Sequence, residues 1–446
     1  MVKKICLIWP TRRNKEEYCF PLWAISLATY LKKKKPDIDI YILDGQIYDS
    51  ETIIKKIQEI KPEIVGISSS YNFYKDSLKF AREAKLINAR VVLGGVFATS
   101  MKNEILIKRG PFSKDYCVDA IIQRDGEKAF FEYITDISLK KINNLVYQDE
   151  DNNIKENKLK LLDLNKLSVP DFTLLNINKY FNLCDHGKLA NIYFSKGCSW
   201  REKSGGCIFC SSIEKKLRKK TPKKAANEIY VLFNKFGFNT FKIQDEDFLS
   251  DINWFKVFFK EHISNYWAGL PVLGISTRAD RLTKKIVKML EELNVRRIAL
   301  GFETGSKSGL INIKKGLTLS TLYKAANLLN GSTIKVTGHF IFGIPGETKK
   351  TLQETFNLIK ELSMSNNIKN IRCQRFIPLP SSAAWSIFLN KTDNKYKNED
   401  IINWENVKDD WLDKFCYIKK EDLFILFDKL NNFAKKRNNL NTKFIF

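Results

Sequence analysis

Residues 196–212 read KGCSWREKSGGCIFCSS and put three cysteines, Cys198, Cys207 and Cys210, into one short loop with the spacing Cys-x8-Cys-x2-Cys. Thiolates favour soft metals, and an iron–sulfur cluster normally takes four of them, so three leave one iron with an open coordination position for a ligand. A structural zinc site would need a fourth donor, and neither His186 nor Cys184 has the paired spacing of a zinc finger. The loop directly follows the apolar stretch NIYFS (191–195), which reads as a strand. Loops at the carboxyl ends of parallel barrel strands are where such folds carry their chemistry.

From residue 190 onward, strand-like segments recur with helical stretches between them. NIYFS, TFKIQ, VLGIS, RRIALGF, KVTGHFIFG and IRCQRFI alternate with segments such as KKIVKMLEELN and KTLQETFNLIKEL. Six such units over 190–385 predict a partial (β/α)6 barrel of the TIM type, and 386–446 reads as a helical, basic C-terminal tail. Upstream, ICLIW, IDIYIL, EIVGISS, RVVLGG and VDAII alternate with amphipathic stretches, among them SETIIKKIQEIKPE, whose Ile53, Ile54, Ile57 and Ile60 form one stripe. This predicts a doubly wound, Rossmann- or flavodoxin-like parallel sheet over 1–136. Residues 137–189, polar and irregular, are expected to be a linker, with QDEDNNIKENK as an exposed hairpin or connection.

Composition sets the bounds. The chain has 446 residues, 44% of them hydrophobic and 12% aromatic, enough for two or three α/β domains. No apolar run is long enough to span a bilayer, and the apolar core of MVKKICLIWPTRR is too short for a signal peptide, so a cytoplasmic protein with no membrane partner is expected. Six of the nine cysteines stand alone, which excludes a disulfide scaffold. The formal charge of +25 comes largely from lysine runs such as LKKKKPD and EKKLRKKTPKK and reads as a solvated basic face, with nucleic acid an unlikely partner.

The second half resembles the radical S-adenosylmethionine enzymes over residues 190–380. The resemblance rests on the three cysteines, on Phe209 just before the last of them, and on strand-end motifs in family order: QDEDF, STRAD, GFETGS and FGIPGET. The usual family spacing is Cys-x3-Cys-x2-Cys; the interval here is five residues longer, and its Trp200, Glu202 and Lys203 are similar to a loop of peptide-maturing members. The resemblance implies a 4Fe-4S cluster on Cys198, Cys207 and Cys210 whose open iron chelates S-adenosylmethionine. It further implies cofactor contacts from Asp245, Glu246, Ser276, Arg278, Glu303, Gly343 and Gly346.

The first half resembles the cobalamin-binding domain that precedes many radical enzymes, through FPLWAISLATYL, PEIVGISSSYNFY, VVLGGVFAT and VDAIIQRDGEKAFFEY. This implies cobalamin contacts from Ser68, Ser69, Ser70, Gly94 and Gly95, from Asp44 and Gly45 in LDGQIYD, and from Gly126 and Glu127 in RDGE. No histidine occurs in residues 1–185, so the Asp-x-His-x-x-Gly motif that ligates cobalt elsewhere is missing.

Together the resemblances imply a cobalamin-dependent radical S-adenosylmethionine enzyme. The expected reaction is methylation of an unactivated carbon of a natural product or peptide through a 5′-deoxyadenosyl radical and methylcobalamin, fed by an external electron donor such as flavodoxin or ferredoxin. Alternatives are cyclisation or rearrangement without methyl transfer, a radical tRNA-modifying enzyme, and a non-catalytic metal-stabilised nucleic-acid binder.

Overall fold

The computed structural model describes residues 2–12, 18–183, 186–263, 269–365, 367–398, 402–437 and 440–445. The chain divides into two units, residues 1–189 and 190–446.

The first unit runs β1 (Lys4–Trp9), α1 (Leu22–Lys34), β2 (Asp39–Asp44), α2 (Ser50–Ile60), β3 (Ile64–Ser68), α3 (Tyr74–Leu86), β4 (Arg90–Gly94), α4 (Gly95–Ser100), α5 (Lys102–Arg109), β5 (Ala120–Ile122), α6 (Glu127–Ile134), β6 (Leu145–Gln148), β7 (Ile154–Glu156) and α7 (Asn178–Phe181). Its sheet has the order β2-β1-β3-β4-β5-β6-β7, with β1 to β5 parallel and β6 and β7 antiparallel. A parallel sheet covered on both faces needs nearly continuous apolar strands, and Ile5, Leu7, Ile8, Val65, Ile67, Val91 and Leu93 are all fully buried. Helix α2 is started by Asp49, whose carboxylate accepts from Thr52 N at 2.8 Å, and it turns Ile53 and Ile57 into the core. The strand order reverses between β1 and β3, and ligands of doubly wound sheets bind outside the carboxyl ends at such a point.

Residues 137–189 are more than the expected linker. Strands β6 and β7 form a hairpin that pairs onto β5 and extends the first sheet. Only Leu145, Val146 and Tyr147 are buried, and β7 is mostly exposed, so the apolar signal is too short to stand out against QDEDNN.

The second unit runs β8 (Leu189–Ile192), β9 (Ser195–Lys196), α8 (Ser199–Ser204), β10 (Arg218–Lys219), α9 (Pro222–Phe236), β11 (Thr240–Ile243), α10 (Ile252–Ile263), β12 (Val272–Thr277), α11 (Lys284–Glu292), β13 (Arg297–Glu303), α12 (Lys307–Asn312), α13 (Leu319–Leu329), β14 (Lys335–Phe342), α14 (Lys349–Leu362), β15 (Ile368–Arg375), α15 (Ala383–Lys391), α16 (Lys395–Asn398), α17 (Trp404–Phe415), α18 (Lys420–Lys435) and β16 (Asn441–Ile445). The sheet order is β16-β15-β14-β13-β12-β11-β8, and the pairs from β11 to β16 are parallel. Helices α9, α11, α13 and α14 each begin at a threonine, Thr221, Thr283, Thr318 and Thr348, whose side chain accepts an amide of the first turn.

The six expected barrel strands are present. The C-terminal region is not purely helical, however: β16 pairs in parallel with β15 as a seventh strand. Five residues after a long helical pattern carry too little alternation to be read as a strand. Among the described residues no helix is long and apolar enough to cross a membrane.

Candidate functional site

The cysteine loop is built around one short helix. Cys198 caps α8, and Gly205 and Gly206, at φ +82° and +89°, turn the chain back so that Cys207 and Cys210 return toward the same end of the barrel. Cys210 N donates to Cys207 O at 3.1 Å, and Arg201 Nη1 donates to Cys210 O at 3.1 Å. Trp200 Nε1 donates to Lys314 O at 3.0 Å, and the Arg278 guanidinium lies 4.8 Å from the Trp200 ring centre. Gly316, at φ +65°, lies under that ring: a Cβ there would come within 2.1 Å of it.

All three thiols are free and partly buried. Burial pushes the Cys207 thiol up to about 11, and the Lys315 and Arg278 charges pull it back. Among the described residues, no three His, Cys, Asp or Glu side chains converge as the ligands of a single ion do. A four-iron cluster has no such requirement, because each thiolate takes a different iron, and the donor set of three thiols fits it. Cys184, weighed above as a zinc ligand, lies outside the described residues.

The strand ends separate the expected residues into two groups. Asp245, at the end of β11, is buried and accepts from Phe194 N at 2.8 Å and Ser195 Oγ at 2.6 Å; it ties the cysteine strand to its neighbour, and burial pushes it up to about 6. Arg278 is also committed internally, with Asp280 at 3.1 and 3.2 Å and the Lys315 carbonyl at 3.0 Å. Glu246 faces solvent beside Cys210 and accepts from Ser212 Oγ at 2.8 Å. Ser276, on β12, is partly open.

Glu303 ends β13 in the left-handed region, φ +64°, and its carboxylate takes the buried Lys315 Nζ at 2.6 Å. A Cβ on Gly301 would meet that carboxylate at 2.2 Å, so the pair needs a glycine there. Lys315 was not among the expected residues: it sits in IKKGLT, which reads as one more basic run. Gly343 and Gly346, at φ +81° and +76°, shape the loop after β14 around buried Glu347. Glu347 accepts from Gly343 N at 2.7 Å and Ile344 N at 3.2 Å, and burial pushes it up to about 7.

In the first unit, the ends of β3 and β4 approach closely at Ser68, Ser69, Gly94 and Gly95. Gly95 has φ +90°, and a Cβ on it would lie 2.6 Å from Ser69 O and 3.1 Å from Ser68 Oγ. Ser69 Oγ is buried without a hydrogen-bond partner, while Ser70 is partly open. An orphaned hydroxyl beside a backbone cradle at the carboxyl edge fits a polar ligand tail. Asp44 is buried, accepts from Gln46 N at 2.9 Å and Tyr180 Oη at 2.8 Å, and is pushed up to about 6 by burial, so it orders its loop. Gly45 packs on Thr11, whose carbonyl a Cβ would meet at 1.9 Å. Gly126 starts α6, and buried Glu127 accepts from Ser26 Oγ at 2.8 Å, which fastens α6 to α1. An open cavity of about 700 Å³ at the carboxyl ends of β1 and β2 is lined by Thr11, Arg12, Gln46 and Asp49, among others.

The fold and the two sites define a two-unit cofactor protein, a doubly wound ligand-binding unit followed by a barrel with a three-thiol loop. The radical SAM superfamily model matches residues 192–359 and the B12 binding domain model matches residues 10–134. The anaerobic magnesium-protoporphyrin IX monomethyl ester cyclase of Rubrivivax gelatinosus is 26% identical over 76% of this chain and 62% of its own length. An uncharacterized methyltransferase of Pyrococcus horikoshii is 26% identical over 82% of this chain and 77% of its own. The radical S-adenosylmethionine methyltransferase TsrM of Kitasatospora setae shares the fold, with a TM-score of 0.71 at 16% identity over 88% of this chain and 75% of TsrM. The chain thus spans somewhat under two thirds of the Rubrivivax relative. It carries a B12 binding domain followed by a radical SAM domain, the domains of cobalamin and of a 4Fe-4S cluster with S-adenosylmethionine.

Two expectations follow from the local geometry. Gly316→Ala drives a methyl group into Trp200 at a left-handed position, a strain of about 1–3 kcal/mol. The variant should reconstitute with several-fold less iron while its far-ultraviolet circular dichroism stays unchanged; full iron loading would contradict the role given to Trp200. Glu347 holds its proton more tightly folded than unfolded. Its contribution to stability is therefore complete below the ordinary glutamate range and is lost as pH rises through about 7. Glu347→Gln keeps the amide-accepting oxygen and removes the titration. Between about pH 5 and about pH 8 the melting temperature of the wild type should fall relative to the variant, and parallel curves would refute the assignment.

Proposed function

We propose that this protein is a cobalamin-dependent radical S-adenosylmethionine methyltransferase acting on an unactivated carbon of a small molecule. The observation that carries the reading is the position of the Cys198, Cys207 and Cys210 loop at the carboxyl edge of the barrel, beside the Glu303–Lys315 pair, in a chain that also has a B12 binding domain. When bound, the cluster and S-adenosylmethionine supply a hydrogen-abstracting radical, and cobalamin carries the methyl group to be transferred.

The chain's own residues bind and orient. The three cysteines would hold the cluster. Glu246, the exposed carboxylate beside Cys210, takes the ammonium group of the methionine moiety, and the Ser276 hydroxyl takes the ribose. The turn through Gly343 and Gly346 brings backbone to the nucleoside, held in shape by Glu347. Asp245, Arg278 and Glu303, with Lys315, act one step back and fix these groups. In the first unit, Ser68, Ser69 and Ser70 with Gly94 and Gly95 bind the cobalamin tail, while Asp44, Gly45, Gly126 and Glu127 shape the rim. We assign cobalamin binding to residues 1–136, the barrel to 190–385 and the cluster's electron to an external flavodoxin or ferredoxin.

A second reading, cyclisation without methyl transfer, is favoured by one observation, the cyclase name of the Rubrivivax relative. Product mass separates the two: a gain of one methyl group supports the methyltransferase, and turnover without it supports cyclisation.

Two further outcomes are expected. Reconstituted anaerobically, the protein should bind about four irons per chain, and Cys198→Ala, Cys207→Ala and Cys210→Ala should each lose the cluster; stoichiometric zinc without iron uptake would overturn the reading. Because residues 1–185 contain no histidine, no imidazole of the B12 binding unit should ligate bound cobalamin: labelling the protein's histidines with nitrogen-15 should leave the paramagnetic resonance spectrum of bound cob(II)alamin unchanged, and a change in its nitrogen splitting would contradict this.

A further inference from the structure

The inner face of the barrel sheet carries a basic row that the cofactor assignments leave unused. In the parallel register Gly301 stands beside His339, and His339 beside Arg372. Neighbouring strands lie about 4.8 Å apart, so the two side chains are adjacent on one face, with the glycine leaving space beside the imidazole. Both are partly buried, whereas the alternate residues Phe302, Phe340 and Cys373 are buried on the opposite, helix-covered face. The Glu303–Lys315 pair overhangs Gly301 at the cluster end of the row.

The four most deeply buried cations of this unit are each matched by a carboxylate. Lys220 is paired with Glu228 at 2.5 Å, Lys315 with Glu303 at 2.6 Å, Arg278 with Asp280 at 3.1 Å, and Arg375, on the other face of the same strand, with Asp409. The Arg372 side chain makes no hydrogen bond or ion pair among the described residues. Glu303, the nearby carboxylate, is already neutralised by Lys315, which leaves the partly open Arg372 guanidinium without a protein counter-ion. Burial, with the Arg372 and Lys315 charges adding to it, holds His339 below the usual histidine range against the opposing pull of Glu303. An added anion would be stabilised by the Arg372 charge and could accept from the neutral imidazole, and the planar fork of arginine matches two oxygens of one anionic group.

We infer that the barrel lumen recognises an oxyanion on the substrate, a carboxylate or phosphate-type group, gripped by Arg372 with His339 beside it. This rests on the lumen being the substrate site of the proposed function, and it narrows that substrate to an anionic small molecule. The Arg372 fork takes two oxygens, the imidazole N–H donates to a third or to the same group, and the rest of the substrate extends toward Gly301 and the cluster loop.

The test uses the cluster-reconstituted protein and three probes, methylphosphonate, acetate and neutral acetamide, each followed by thermal unfolding against a potassium chloride control of equal ionic strength. Methylphosphonate, acetate or both should protect the wild type and acetamide should not; which anion protects distinguishes a phosphate-type from a carboxylate head group. Arg372→Gln should weaken that protection by at least about tenfold in apparent affinity, and Arg372→Lys, which keeps the charge and loses the fork, by less. Affinity for S-adenosylmethionine, measured by calorimetry, should stay within about twofold in both variants. Equal anion protection in wild type and Arg372→Gln, no protection of the wild type by either anion, or a tenfold loss of S-adenosylmethionine affinity in the variants would each overturn the inference. The last would make Arg372 a cofactor residue. Anion binding is read without turnover, while iron content judges the cofactor reading separately.

Discussion

The barrel end depends on burying one lysine beside one glutamate. Lys315 and Glu303 are both taken out of water, and each charge is tolerable only because the other lies within 2.6 Å. That requirement reaches outward. Glu303 must adopt a left-handed backbone to point back at the lysine, and Gly301 must lack a side chain to leave room. The Lys315 carbonyl is held by Arg278, and the next residue, Gly316, must be bare so that Trp200 can lie on it. Trp200 belongs to the helix between the first two cysteines. A single buried pair thus sets the height at which the loop meets the barrel and the electrostatic surroundings of Cys207.

Both units place their uncommitted groups at carboxyl strand ends and spend their other polar groups on holding those ends still. Asp44 and Asp245 illustrate the point. Each lies at the carboxyl end of a strand, each is an acid in a motif that suggests ligand contact, and each turns inward to accept from its own chain. Their proton affinities are raised because burial outweighs the hydrogen bonds that oppose it. The groups left at least partly open are Glu246 in the barrel and Ser68, Ser70, Gly94 and Gly95 in the first unit.

What could be read from the sequence divides along the same line. Long periodic segments and the cysteine spacing were legible because each is a local pattern: five parallel strands in the first sheet, six in the second, and the three-thiol loop between them. The β6–β7 hairpin and β16 were not, since each is short and takes its place by pairing with a strand that lies apart from it in sequence. Among site residues, adjacency hid the roles: Asp245 and Glu246 are neighbours in QDEDF, and only the backbone direction at the strand end decides which carboxylate is buried. Lys315 was concealed in a lysine-rich run, because nothing local distinguishes a lysine that finds a buried glutamate twelve positions upstream from one that points into solvent.

The cysteine loop also bears on what kind of substrate the barrel serves. Its length and its Trp200, Glu202 and Lys203 resemble a loop of peptide-maturing relatives, which would make the extra residues a recognition element. In the fold those residues have other work. Trp200 is docked on Gly316 between the Lys314 carbonyl and Arg278, and Glu202 accepts from Leu217 N at 3.4 Å, so both face their own chain. Glu202 and Lys203 are both exposed, one charge of each sign. The more deeply placed cations of the barrel, Lys220, Lys315, Arg278 and Arg375, are matched by carboxylates. Packing therefore accounts for Trp200, the largest side chain of the loop, while the inner face of the sheet offers polar, partly open side chains closer to the reacting end.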